Sequence, residues 1–113
     1  MNLATKAISD HFSVAAQVCP ENVPTIAAAG FKTLINNRPD GEGGPGQPKS
    51  AELERVSTEQ GLRYVYLPVV SGAITPAQAN AMREALVAAP TPVLAFCRSG
   101  ARSSMLLSLS QAA

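Results

Sequence analysis

The chain has 113 residues, enough for one domain spanning 1–113, with a core large enough to need neither disulfides nor a structural metal. Apolar residues make up 46% and charged residues 15%, which suits a sheet covered on both faces and argues against a disordered tail or a linker. A formal net charge of +1 offers no field that would recruit nucleic acid or an anionic membrane, and no apolar run reaches the roughly 18 residues of a spanning helix.

In chain order, residues 1–10 carry no apolar stretch of signal-peptide length, so a cytoplasmic location is expected, with Cys19 and Cys97 reduced. Phe12, Val14, Ala16 and Val18 alternate and read as a first strand over 12–18. Residues 19–24, with Pro20 and Pro24, form a helix entry, and the helix runs through Ile26 to Ala29 and stops at Gly30. A second strand is expected over 31–36, followed by a long Gly/Pro loop over 37–49. Ser50 is placed as the cap of a helix reaching Gln60 and ended by Gly61. Residues 62–67 read as a third strand. Thr75-Pro76-Ala77-Gln78 is a capping box for a helix that buries Ala79, Met82 and Leu86 and stops before Pro90. Residues 93–96 are a short apolar strand, 97–101 a tight turn, and from Arg102 a last helix is expected with Met105, Leu106 and Leu109 facing inward. This alternation implies an α/β fold: a single three-layer domain with a mostly parallel sheet of four to five strands and helices on both faces. Ligands in such folds sit at the carboxyl ends of the strands, where Cys97 falls.

The segment that carries chemistry is Cys97-Arg98-Ser99-Gly100-Ala101-Arg102-Ser103. A buried strand delivers a cysteine into a short loop that ends at a helix N-terminus. Successive N–H groups there can form an anion-binding nest, and the helix adds its positive end. Gly100 permits a turn that a side chain would obstruct, and Arg102 brings a permanent charge and a planar fork of donors. Such surroundings stabilise a thiolate, which makes Cys97 the candidate nucleophile, Arg102 its catalytic partner, and Arg98, Ser99, Gly100, Ala101 and Ser103 the anion-binding residues. The Ser103 hydroxyl is placed to hydrogen-bond the sulfur. The plainer reading takes Cys97 as a small core hydrophobe, and Arg98 as a solvated surface residue. Cys19 is expected to occupy a helix entry rather than a redox site, and His11 to lie at the surface. No metal site and no cofactor are expected, since two cysteines and one histidine do not make a four-ligand zinc site. The Ala-rich, charge-poor chain leaves a homo-oligomer open.

This loop resembles those of rhodanese-type sulfurtransferases and of cysteine-based tyrosine and dual-specificity phosphatases. From about Phe12 onward the chain resembles the bacterial family of phosphatase-like domains of beta-lactamase-hydrolase-like proteins. Four stretches carry the likeness: Ala29-Gly30-Phe31-Lys32-Thr33, Ile35-Asn36-Asn37-Arg38-Pro39-Asp40-Gly41-Glu42, Leu67-Pro68-Val69-Val70-Ser71-Gly72, and Leu94-Ala95-Phe96-Cys97-Arg98-Ser99-Gly100. The resemblance implies a dual-specificity-phosphatase-like fold and either phosphatase or sulfurtransferase activity. Some members are fused to a metallo-beta-lactamase-type persulfide dioxygenase, and this chain, which has no such metal-ligand run, is expected to be the stand-alone domain.

The spacing favours sulfur over phosphate. Four residues separate Cys97 from Arg102, whereas tyrosine-phosphatase loops have five. Phe96 stands where phosphatases usually carry histidine, and Val69-Val70-Ser71-Gly72 has no carboxylate to serve as general acid. The expectation is therefore a sulfurtransferase working through a Cys97 persulfide, with thiosulfate or glutathione persulfide as the small anionic donor and a thiol as acceptor. The alternative is a phosphatase working through a phosphocysteine, with Asp40 or Glu42 swinging in as the acid and Arg38 touching the anion; Asp40 and Arg38 are thus auxiliary candidates. Residues 36–40 also read as ordinary turn chemistry. A third reading, anion binding or sulfur sensing without turnover, lacks a resolving partner other than Cys19.

Overall fold

The computed structural model describes residues 3–112, and its first strand, β1 (Thr5–Ala7), is one that the apolar pattern does not reveal. All three of its residues are exposed, so it carries no inward alternation to read. It pairs antiparallel with β2 (Phe12–Ala15). The strand expected over 12–18 ends at Ala15: Ala16 is exposed, and Val18 is buried after the chain has left the sheet. A single 3₁₀ turn, Pro20–Asn22, then leads into α1 (Val23–Ala28), and Gly30 leaves it with φ +99°. Next come β3 (Thr33–Asn36), α2 (Ser50–Glu59) and β4 (Arg63–Tyr66). α3 (Pro76–Ala88), β5 (Val93–Phe96) and α4 (Ala101–Ala112) complete the chain.

The sheet order is β1-β2-β5-β3-β4, with β2, β5, β3 and β4 mutually parallel. The chain moves outward from β2 to β3 to β4 and then returns to insert β5 between β2 and β3. α1 and α2 serve the outward crossovers and pack on one face; α3 serves the return and packs with α4 on the other. Alternation along the strands divides the core accordingly. Phe12, Val14, Ile35, Val93 and Ala95 face Met82 of α3 and Leu106 and Leu107 of α4. Ala15, Leu34, Leu94 and Phe96 face Val23 and Ile26 of α1 and Leu53 of α2. β5 is buried along its whole length, as expected of the central strand of a covered parallel sheet.

Two helix assignments change. Ser50 is not the cap of α2: Lys49 holds that position, and Ser50 is the first helical residue. Its N–H donates to Asp40 Oδ1 at 2.8 Å, so a side chain ten residues upstream satisfies the helix start. Its hydroxyl meanwhile lies 2.7 Å from Tyr64 Oη. In α4, Met105 and Leu109 are exposed, and the inward face is Ser103, Leu106, Leu107 and Ser110. The helix begins at Ala101, and a stripe starting from Ser103 at i, i+3, i+4 and i+7 is the one that meets the sheet. The Thr75–Gln78 capping box is present: Gln78 N–H donates to Thr75 Oγ1 at 3.2 Å and Thr75 N–H to Gln78 Oε1 at 2.9 Å.

Candidate active site

β5 hands Cys97 to the carboxyl edge of the sheet, between two neighbouring strands. The Cys97 N–H donates to Ala15 O at 3.3 Å on one side, and the Asn37 N–H donates to Phe96 O at 2.9 Å on the other. These bonds continue the ladder one residue past the strand and fix where the sulfur emerges. Gly100 follows with φ +93°, and a Cβ there would sit 3.4 Å from Ala15 O. The left-handed turn calls for glycine, while a Cβ there would make ordinary contact with β2.

The loop folds around the sulfur. Gly100 N–H donates to Cys97 Sγ at 3.0 Å, and the N–H groups of Ser103, Ser99 and Arg102 also point to it. Burial acts to raise the thiol, but these four peptide donors outweigh it and bring Cys97 below its ordinary value. The sulfur is buried yet borders a hollow of about 520 Å³ lined by Arg38, Glu42, Val70, Ser71, Arg98 and Arg102, among others. Phe96, immediately before it, turns to the opposite face and packs in the core.

Arg102 is buried and held on two sides. Its Nη1 and Nη2 donate to Glu42 Oε2 and Oε1, both at 3.0 Å, and Nη1 also donates to Val69 O at 2.8 Å. Its Nε–H is buried and has no partner among the described residues. Arg38 joins the same carboxylate through Nε at 2.9 Å, while its Nη1 donates to Gln17 Oε1. Glu42 therefore bridges two guanidinium groups. Hydrogen bonds from Arg102 first and Arg38 second hold its carboxyl below the usual carboxylate range, against the effect of burial. Arg98 is exposed at the mouth of the hollow.

Two expected roles are corrected. Asp40 does not line the hollow; its carboxylate caps α2 and its own N–H donates to Tyr66 Oη at 2.9 Å. The Ser103 hydroxyl does not reach the sulfur; it donates to Asn37 Oδ1 at 2.8 Å, and it is the Ser103 backbone N–H that points to Cys97. The 37–49 segment is a loop of turns without helix or strand, as its Gly/Pro content implies, and side-chain bonds hold its shape. Gly43 N–H donates to Gln47 Oε1, Gln47 Nε2 donates to Pro39 O, and the loop delivers Glu42 to Arg102. The sequence weighed Glu42 only as a mobile acid and missed Asn37, Gln17 and the Val69 carbonyl as supports. No local signal reports these supports, since each joins residues far apart in the chain. Cys19, half-buried at the entry to the 3₁₀ turn, lines a separate hollow, and its thiol is raised by burial and by Glu21.

A cysteine at the end of a central parallel strand, a ring of peptide donors and an arginine at the following helix define a cysteine-phosphatase-like α/β domain. Residues 4–113 match the family described as "Beta-lactamase hydrolase-like protein, phosphatase-like domain", and the chain belongs to that family. It is 35% identical to the beta-lactamase hydrolase-like protein of Agrobacterium fabrum over 93% of its own length, and spans 24% of that relative. Among solved structures it resembles a candidate phosphatase from Neisseria meningitidis, with a TM-score of 0.82, 31% identity, and coverage of 89% of this chain and 71% of the other. It also shares its fold with Pseudomonas aeruginosa TpbA, solved in complex with phosphotyrosine, at a TM-score of 0.67 and 17% identity over 90% of this chain and 58% of that one.

Proposed function

We propose that this domain hydrolyses phosphate monoesters through a phosphocysteine at Cys97. The observation that carries the reading is that Arg102 and Cys97, whose sulfur is met by the peptide N–H groups of the following turn, line one and the same hollow. An anionic group entering that hollow offers acceptors to the Arg102 guanidinium and the loop amides and meets a nucleophile already biased toward thiolate. Likeness to the Neisseria candidate phosphatase supports phosphate as the anion. The Cys97 thiolate attacks phosphorus, the ester P–O bond breaks, and its electron pair leaves with the departing oxygen. Water then attacks phosphorus, the S–P bond breaks, and thiolate is regenerated as dihydrogen phosphate forms. Arg102 and the loop amides lie where charge builds on the phosphoryl oxygens. Arg98, at the rim, receives any further negative charge on the substrate.

Sulfur transfer is the second reading, favoured by the four-residue spacing from Cys97 to Arg102 and by donors that converge on a single sulfur. The two are separated by assaying aryl phosphate hydrolysis beside sulfur transfer from thiosulfate to cyanide. The phosphatase reading expects hydrolysis that vanishes in Cys97→Ser. Cys97-dependent sulfur transfer with no hydrolysis would replace it with the sulfurtransferase.

A further inference from the structure

Resting on the phosphatase reading, the geometry points to a reaction without a general acid, and so to a substrate class: phosphate monoesters whose leaving group departs as a stable anion, such as an acidic phenol or an enol. Alkyl phosphates are poor substrates of this domain for that reason.

Among the described residues, the side chains with titratable or charged groups that border the hollow are Cys97, Glu42, Arg38, Arg98 and Arg102. Cys97 is the nucleophile, and a guanidinium does not serve as a proton donor in catalysis. Glu42 alone has the right chemistry to donate a proton, but both of its oxygens accept charged hydrogen bonds, from Arg102 and Arg38. To act as an acid it would have to be protonated, which removes an acceptor from a buried guanidinium; the pairing favours the ionised form. Asp40 is engaged elsewhere, capping α2. The segment opposite the loop, Val69-Val70-Ser71-Gly72, contributes a backbone carbonyl to Arg102 and an exposed Val70 and Ser71 to the rim, and no carboxylate. Thus the P–O bond breaks with the electron pair and negative charge left on the departing oxygen, which takes its proton from solvent after it leaves.

A positioned acid contributes on the order of 10²–10⁴-fold for a leaving group that needs one. The test is kcat/KM across aryl phosphates of graded phenol acidity, extended to an alkyl phosphate such as a phosphoserine peptide, with wild-type protein, Glu42→Gln and Asp40→Asn. The expected result is a steep fall with rising leaving-group pKa, reaching at least about 10²–10⁴-fold, the missing contribution of an acid, between the most acidic phenol and the alkyl ester. The ratio between good and poor leaving groups is expected to be the same in both variants, and the wild-type profile to rise with thiolate formation and show no alkaline fall from loss of an acid. A flat dependence in wild type, or a variant that selectively slows the poor leaving groups, would overturn the inference and leave the phosphatase standing. Absence of Cys97-dependent hydrolysis of every ester would overturn the phosphatase reading itself, and the inference with it.

Discussion

The residues around Cys97 divide between those that set its ionisation and those that aim the arginine. Gly100 belongs to the first group, since its N–H meets the sulfur at 3.0 Å and its φ of +93° suits only glycine. Gly100→Ala forces a left-handed conformation on a residue with a Cβ, costing roughly 1–2 kcal/mol. We expect a lower Tm and a thiol that reacts more slowly with iodoacetamide near neutral pH, as read from the pH profile of alkylation. Glu42 belongs to the second group. Glu42→Gln removes one charge-assisted fork from Arg102 and is expected to lower kcat/KM on the order of 10–100-fold for all esters alike, the rate equivalent of a charged hydrogen bond. Its effect on stability has a definite sign. The folded-state pKa of Glu42 lies below the unfolded one, so its contribution is fully present above the ordinary carboxylate value and is lost as pH falls through the folded value. The wild-type protein should lose stability across that acid window more steeply than the Gln variant, as measured by urea midpoints against pH.

At the scale of elements, what was legible depended on whether the signal was local. Capping boxes are local: Thr75 and Gln78 announce α3 in four residues, and Thr75→Ala is expected to cost about 1 kcal/mol in denaturant unfolding. The α2 start was misread because its donor is satisfied from Asp40, across a loop, so Ser50 resembled a cap in sequence while acting as the first helical residue. Asp40→Ala should accordingly destabilise the fold by about 0.5–2 kcal/mol, a capping-sized loss, while leaving kcat/KM for aryl phosphates near wild type. An activity loss far exceeding the stability loss would return Asp40 to the chemistry. α4 shows a different limit. Its serines and leucines give little contrast between faces, and only the register set by the loop decides that Ser103, Leu106, Leu107 and Ser110 face inward. β1 was invisible because three exposed residues on an edge carry no pattern at all.

For the whole molecule, the order of strands and helices was enough to give the layers, because a wholly apolar strand such as β5 must sit between two covered faces. It also placed Cys97 at the carboxyl edge. It did not show that the 37–49 loop folds back to set Glu42 against Arg102, a contact between residues 60 apart that no spacing rule reports. That contact alters the reading of the reaction, since it converts the nearest carboxylate from an acid into a fixed counter-charge.

The most direct test of the claim that this loop holds a thiolate for phosphoryl transfer is the mass of the Cys97 peptide after rapid mixing with an aryl phosphate and quenching in denaturant at mildly alkaline pH. A phosphoryl group on Cys97, absent in Cys97→Ser, is the expected result. An unmodified Cys97 under turnover conditions, together with a gain of one sulfur atom after exposure to thiosulfate, would contradict it.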